Sequence, residues 1–392
     1  MERQFYSMAD INNETYKKPK IITYYLPQYY EVPENNEWWG EGFTEWTNVR
    51  KAKPFYPGQT QPKIPLNENY YNLMEKETVE WQTELAKKYG IYGFCYFHYY
   101  FKNGRKILEK PAENLLKWKD IDQNFCFFWA NSEWKRTWSN ANGPTTNWVP
   151  DDMGKEKNGT GILLEQDYGK EDIWEDHFNY LLPFFQDKRY IKIDNKPIFA
   201  VYHVNIIKDA KEMFGLWNKM AVESGFSGIY ILSVNQACES NPYVSGILHY
   251  GMGMVAHSIE YRMVDKIRQI VNAISRRIIG RDSIYNVWDY KKYWKRVLQD
   301  NPYGKIQNFP GGTVRYDETP RRGEKSLYIR GDTPALFEQY IREQMIRGQK
   351  IFKTEYLFLD AWNEWGEGNY LEPDTIYGYG YLEALKRALD NI

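Results

Sequence analysis

The chain has 392 residues, 42% of them hydrophobic and 26% charged, so it can bury a large core and intrinsic disorder is excluded. Its 51 Lys and Arg balance 52 Asp and Glu to a net charge of −1, which removes any global attraction for nucleic acid. The 34 Tyr, 19 Phe and 15 Trp exceed what a core needs, and rings with a polar tip suit the apolar C–H face of a pyranose.

Cys95, Cys126 and Cys238 give neither a disulfide framework nor a metal-ligand spacing. The opening Met1-Glu2-Arg3-Gln4-Phe5 has no apolar leader core, and the longest apolar run, near 91–101, is too short to span a bilayer. The sequence therefore reads as a cytoplasmic protein.

Short apolar runs alternate with amphipathic stretches, which predicts repeated βα units. The first strand is expected at 21–26, followed by a Trp-, Pro- and Gly-rich loop to residue 65. A helix over 75–89 stops at Gly90, and strand 92–99, helix 105–118 and strand 125–130 follow. A polar loop at 131–165 leads to helix 170–186, strand 197–203, helix 208–224 and strand 228–234. Weaker strands are expected at 247–250 and 254–258. The stretch 261–307 breaks the rhythm and reads as a basic helical insertion. Helix 333–348, strand 356–362 and helix 381–389 close the series. Seven or eight strands with helical crossovers predict one α/β domain over 1–392. The fold class is a single (β/α)8 TIM-like barrel with long βα loops, in preference to an open doubly wound sheet.

Barrel chemistry collects where strands end. Those positions carry Tyr25 and Gln28, then His98, then Trp129, Asn131 and Glu133, then Tyr202 and His203. The last strand leaves through Asp360-Ala361-Trp362-Asn363-Glu364-Trp365-Gly366-Glu367-Gly368. Two glutamates three apart, among Trp and Gly, fit the two carboxyls that glycosidic cleavage requires. Gly366 and Gly368 allow the tight path that turns both inward. A random Glu-x-x-Glu is an exposed loop pair; the aromatic context and the strand-end position favour catalysis here. Glu45 and Trp46 in the first loop can bind and stack on a sugar, or can simply pack beneath it. His98 and His203 can contact sugar or be satisfied core histidines.

The motifs Tyr25-Leu26-Pro27-Gln28, Trp38-Trp39-Gly40, Gly42-Phe43-Thr44-Glu45-Trp46, Gly93-Phe94-Cys95-Tyr96, Trp129-Ala130-Asn131 and Trp362-Asn363-Glu364-Trp365 jointly resemble the glycoside-hydrolase-family-99-like proteins of the WbsX type. Phe309-Pro310-Gly311 and Asp317-Glu318-Thr319-Pro320-Arg321-Arg322 look like further motifs of that group. The resemblance covers residues 20–390 and implies a metal-independent (β/α)8 barrel, with a role in surface-polysaccharide or O-antigen synthesis. It implies Glu367 as general acid/base and Glu364 as the base that lets the sugar's O2 attack C1 through a 1,2-anhydro intermediate. The sequence also allows Glu364 as a direct nucleophile. In the family the closing motif is Glu-Trp-His-Glu; here Gly366 replaces the histidine.

The expected substrate is an oligo- or polysaccharide, with no cofactor and no metal. Tyr25, Gln28, Glu45, Trp46, His98, Trp129, Asn131, Glu133, Tyr202, His203, Trp362, Asn363 and Trp365 are the expected substrate contacts. A glycosyltransferase of lipopolysaccharide synthesis, a transglycosylase and a non-catalytic glycan-binding protein are the alternatives. Gly251-Met252-Gly253 lacks the strand-turn-helix context of a dinucleotide site, and Asp120-Ile121-Asp122 precedes a strand, at the wrong barrel end for a metal-binding Asp-x-Asp. Within 261–281, Val264, Ile267, Ile270, Val271, Ile274 and Ile278 recur at helical spacing beside Arg268, Arg276, Arg277 and Arg281. Such a stripe packs on the barrel or a sister subunit, or lies against the inner membrane.

Overall fold

The computed structural model describes residues 16–135, 161–251, 253–256, 259–279 and 284–392. Nine parallel segments form a nearly closed barrel: β1 (Lys20–Tyr25), β2 (Ile91–His98), β3 (Asn124–Trp129), β4 (Lys196–Val201), β5 (Tyr230–Val234), β6 (Val244–Leu248), β7 (Gln307–Phe309), β8 (Gly311–Thr313) and β9 (Tyr356–Asp360). β9 pairs back onto β1, with Tyr356 opposite Lys20. β7 pairs only with β6, Phe309 opposite Leu248, and β8 with β9, Gly311 opposite Phe358. Pro310, which has no N–H for a ladder, stands between them, while its carbonyl accepts from the Phe358 N–H at 3.1 Å. β7 and β8 are thus one strand position broken at a proline, and nine segments fill eight places.

The crossovers carry α1 (Lys76–Lys88), α2 (Lys110–Lys117), α3 (Glu171–Gln186), α4 (Ala210–Glu223), α5 (Ile259–Ile279), α6 (Tyr290–Val297) and α7 (Pro334–Lys350), with α8 (Gly380–Asp390) last. The connection from β5 to β6 has no helix. The strands read as near-continuous apolar runs because both faces are covered, by helices outside and side chains inside. Much of the aromatic surplus is spent here. Tyr24 packs against Phe97, Phe128, Tyr250 and Phe358, and Tyr25 packs against Phe94 and Tyr96.

Three expectations change. Residues 253–256 form a helical turn instead of a strand, and 257–258 lie outside the described residues. In the 131–165 loop, Trp134–Lys135 pairs antiparallel with Ile162–Leu164, and 136–160 lie outside the described residues. The 261–307 stretch splits into two unlike parts. α6 is a helix of the barrel's outer layer: Tyr290, Tyr293, Trp294 and Val297 are buried. Tyr293 shares a hydrogen bond with Thr313 Oγ1 at 2.8 Å, and Trp294 stacks on Tyr340 of α7. Only α5 stands out from the barrel. Its seam was hidden in the sequence because both helices are basic and aromatic or aliphatic at helical spacing.

Removing a fully enclosed indole loses its transfer energy and leaves a cavity. Trp294→Ala should therefore cost about 3–5 kcal/mol in denaturant unfolding, against within about 0.5 kcal/mol for Val222→Ala on the exposed side of α4. Equal, small losses would remove α6 from the core.

Candidate active site

Three segments meet at the C-terminal end of the barrel. The first is the loop after β1, which delivers Glu45 at the start of the short helix Glu45–Lys51. Thr44 and Thr47 form its capping box, and the Glu45 N–H donates to the Gln28 carbonyl at 3.0 Å. The second follows β8. There Asp317 accepts from the Thr319 hydroxyl at 2.6 Å and from the side-chain amides of Gln59 and Gln61, fixing the single helical turn Thr319–Arg322. The third leaves β9 as a tight hairpin in which Asn363 pairs with Tyr370 and Glu364 with Asn369. Trp365–Glu367 make its turn, closed by Gly368 at φ 54°.

Asn363 clamps that hairpin to β1. Its Oδ1 accepts from the Leu26 N–H at 2.8 Å and its Nδ2 donates to the Leu26 carbonyl at 3.1 Å. Tyr29 donates its hydroxyl to the Asn363 carbonyl and accepts from the Trp365 N–H. Beneath lies Glu372, which accepts from Trp365 Nε1 at 2.7 Å, Tyr71 Oη at 2.8 Å and Gln82 Nε2 at 2.7 Å. Burial pushes Glu372 up to about 7, against the pull of those donors. Tyr25 completes this layer by donating to Gln82 Oε1 at 2.6 Å.

Arg321 sits at the junction, almost wholly buried. Its Nε meets Glu45 Oε1 at 2.8 Å, Nη2 meets Glu364 Oε2 at 2.7 Å and Nη1 meets Glu367 Oε1 at 2.5 Å. One guanidinium thus serves three carboxyls. A Cβ on Gly366 would overlap Glu45 Oε1 and lie 2.8 Å from Arg321 Nε, so the ion pair occupies the space a side chain there would need. This is the physical reason for glycine between the two glutamates.

One positive charge shared among three carboxyls, two of them buried, offsets only part of the cost of burying their charges. Burial pushes Glu364 up to about 8, although Arg321 pulls it down, and raises Glu45 against the same opposition. Asp360, enclosed at the end of β9, lies well above the carboxylate range through burial and the charges of Glu367 and Glu364. Glu318 is pushed up to about 7 by burial, with Arg322 at 3.1 Å opposing. Burial thus favours the protonated form of these carboxyls. Glu367 is the open member of the pair, its side chain 20% exposed against 5% for Glu364. Partly exposed Tyr202, Tyr250 and Tyr316 are near enough to feel its charge.

The expected substrate contacts divide. Glu45, Glu364 and Glu367 converge on Arg321. Gln28 is buried beside Glu45 with its amide Nε2 unpartnered. Tyr202 and His203 are half-buried neighbours, rings 4.1 Å apart, and burial lowers His203. The others have structural tasks. Trp46 donates to the Tyr71 carbonyl at 2.9 Å and is enclosed by Tyr29, Tyr71 and Trp365. Trp365 stacks on Tyr370, and Trp362 lies enclosed against Phe94. His98 shares a hydrogen bond with His177 at 2.8 Å, and burial lowers it to about 3, so it stays neutral in the core. Trp129 donates to the Tyr100 carbonyl, and Asn131 exchanges hydrogen bonds with the His203 backbone. Tyr25, Trp46, His98, Trp129, Asn131, Trp362, Asn363 and Trp365 therefore offer almost no surface to a glycan. Glu133 pairs with Lys135 on the surface. Asp120 and Asp122 pair with Lys76 and Lys87 at the opposite end. Among the described residues no cluster of His, Cys, Asp and Glu is arranged to hold a metal ion.

Sequence reasoning assigned no role to Arg321, Asp360 or Tyr250. The available signal was charge compensation: two glutamates leaving one strand into a barrel end require a cation, and Arg321 stood in a motif already singled out.

The fold is a (β/α)8 barrel. A solved glycoside hydrolase-like protein aligns with TM-score 0.56 at 15% identity, over 96% of this chain and 95% of that one. A GH99 endo-alpha-mannosidase from Bacteroides thetaiotaomicron aligns with TM-score 0.53 at 13% identity, over 95% and 96%. Residues 21–385 match the model of the family described as Glycosyltransferase WbsX, and the chain belongs to that family. Proteins named "Uncharacterized protein WxcX" from two strains of Xanthomonas campestris pv. campestris are 26% identical over 373 residues. That match covers 94% of this chain and 49% of theirs, so the chain spans about half the length of the curated relatives it matches.

Raised carboxyls bind more protons folded than unfolded, so their contribution is full below about 4.5 and is lost as pH rises through 7–8. Arg321→Leu removes the charge that opposes the burial of Glu45, Glu364 and Asp360. It should cost about 3–5 kcal/mol near pH 8 and much less near pH 5 in denaturant unfolding. A loss independent of pH would contradict the shared ion pair.

Proposed function

We propose that the chain is a carbohydrate-active enzyme that cleaves or transfers glycosidic bonds with retention of configuration, an endo-acting α-glycosidase-like enzyme working on a surface polysaccharide or its precursor. The observation that carries this is the pair Glu364 and Glu367 on one hairpin at the C-terminal end of the barrel, one buried and one open, both tied to Arg321. Glu367, on the open side, protonates the leaving oxygen as the C1–O bond breaks. Glu364 takes the proton from the 2-hydroxyl, and O2 closes on C1. Glu367, now a carboxylate, then deprotonates water or an acceptor hydroxyl that attacks C1. O2 regains its proton from Glu364, and two inversions give retention.

The acidity of the site favours this over a nucleotide-sugar glycosyltransferase of lipopolysaccharide synthesis. Arg321, Arg322 and Arg315 are each engaged by carboxylates. These guanidiniums are already committed to side chains of the site, so a diphosphate leaving group would have to displace those contacts. Transfer between glycans needs no such site and agrees with the family description.

On a panel of oligosaccharides, Glu367→Gln and Glu364→Gln should each lower turnover about a hundredfold or more. Binding should stay within about tenfold, 1.4 kcal/mol. A 2-deoxy substrate should fail, and its efficient cleavage would exclude O2 as nucleophile. Near wild-type turnover in either variant would remove that residue from the mechanism.

The raised Glu364 carboxyl favours a second reading, in which Glu364 donates the proton. The pH dependence of kcat/KM separates the two. If Glu364 must be ionised, kcat/KM rises with pH toward about 8; if it is the acid, kcat/KM falls as pH passes about 8.

A further inference from the structure

α5 inverts the usual arrangement of a surface helix. A soluble helix turns its apolar stripe to the core, but α5 is tied down by polar residues. Asn272 is buried, its Nδ2 donating to the Ile284 carbonyl at 2.7 Å and its Oδ1 accepting from the Ile284 N–H at 2.9 Å. Ser275 is buried on the same side. The apolar residues face out: Val264, Ile267, Ile270 and Ile274 are 50–55% exposed, Met263 59% and Ile278 75%. From Met263 to Ile278 the stripe runs about 22 Å, and a contiguous row of exposed aliphatic side chains marks an interaction surface.

The charge on the same helix says what covers it. Arg262, Lys266, Arg268, Arg276 and Arg277 stand against Glu260 and Asp265, net +3 in a chain that is net −1. Arg281, also in this basic run, lies outside the described residues. No helix among the described residues is long and apolar enough to cross a membrane. An apolar stripe edged by cations on a helix of 21 residues has the composition of one lying in the plane of an anionic lipid interface.

We propose that α5 docks the protein on an anionic bilayer surface. Its position gives the docking a consequence. α5 emerges from the end of β6 that carries Tyr250, and Tyr250 feels Asp360, Glu367 and Glu364. Beyond α5, Tyr285 packs on Tyr56, whose hydroxyl donates to the carbonyl of Glu324, three residues past Arg321. The connections on both sides of α5 therefore lead to the end of the barrel that carries the carboxyl cluster. Docking holds that end at the membrane surface, where a glycan carried on a lipid or emerging from the bilayer is presented. The docking itself stands independently of the chemistry assigned to the carboxyls.

Co-sedimentation with vesicles of phosphatidylglycerol and phosphatidylcholine in equal parts tests it, beside vesicles of phosphatidylcholine alone. The anionic vesicles should retain the protein at low salt and release it at high salt, with at least tenfold weaker binding to the neutral ones. The double variants Ile270→Ser/Ile274→Ser and Lys266→Glu/Arg277→Glu change exposed residues, and each should bind at least tenfold more weakly with unaltered thermal unfolding. A polarity-sensitive dye on Ile270→Cys should shift to the blue on anionic vesicles, and one on Val222→Cys should not. Absence of binding, binding unchanged in both double variants, or no shift at Ile270→Cys would overturn the proposal. So would a concentration-dependent dimer of the wild type that Ile270→Ser/Ile274→Ser abolishes, which would assign the stripe to a second copy.

Discussion

The site depends on a single guanidinium shared by carboxyls from distant parts of the chain. Glu45 is 276 residues from Arg321 in sequence. It arrives from the loop after the first barrel strand, while Glu364 and Glu367 arrive from the hairpin after the last. Closing the barrel makes those loops neighbours, because β9 pairs with β1. The planar fork of arginine can address three acceptors at once, which a lysine ammonium on a flexible stem cannot do with fixed directions. Leaving any of the carboxyls buried without it would cost several kcal/mol. The ion pair and the barrel closure therefore support each other.

That arrangement leaves the site short of positive charge, and the deficit is its chemical property. Carboxyls that burial keeps near neutrality can exchange protons at cellular pH. The gradient of burial between Glu364 and Glu367, only three residues apart, lets one sequence segment supply a proton holder and a solvent-facing partner. Rigidity comes from below, where Glu372 fixes the indole of Trp365 and Asn363 fixes the hairpin to β1. Several residues with sugar-binding character thus act by holding the pair in place.

Much of this was legible in the sequence. Alternating strand and helix periods pointed to the barrel, the strand-end rule brought out Glu364 and Glu367, and the motif around Trp46 in the first loop brought out Glu45. Three things were hidden. Pro310 splits the seventh strand into two three-residue segments, each too short to register as periodicity. The aromatic surplus pointed to a cleft, but composition does not say which way a ring faces, and Trp46, Trp129 and Trp362 face inward. Arg321 lies in a four-residue turn whose importance comes wholly from its distant partners. Conversely, the stripe on α5 was readable as a pattern, while its outward orientation required the structure.

The central claim is that Arg321 gathers carboxyls which cannot all ionise, so a buried carboxyl keeps its proton at neutral pH. Infrared spectroscopy of protein carrying 13C-labelled glutamate side chains measures this without any substrate. The account predicts the carbonyl band of a neutral carboxylic acid at pH 7, diminished in Glu364→Gln and titrating away in the wild type as pH passes about 8. A spectrum with only ionised glutamates at pH 7, identical in wild type and Glu364→Gln, would contradict it.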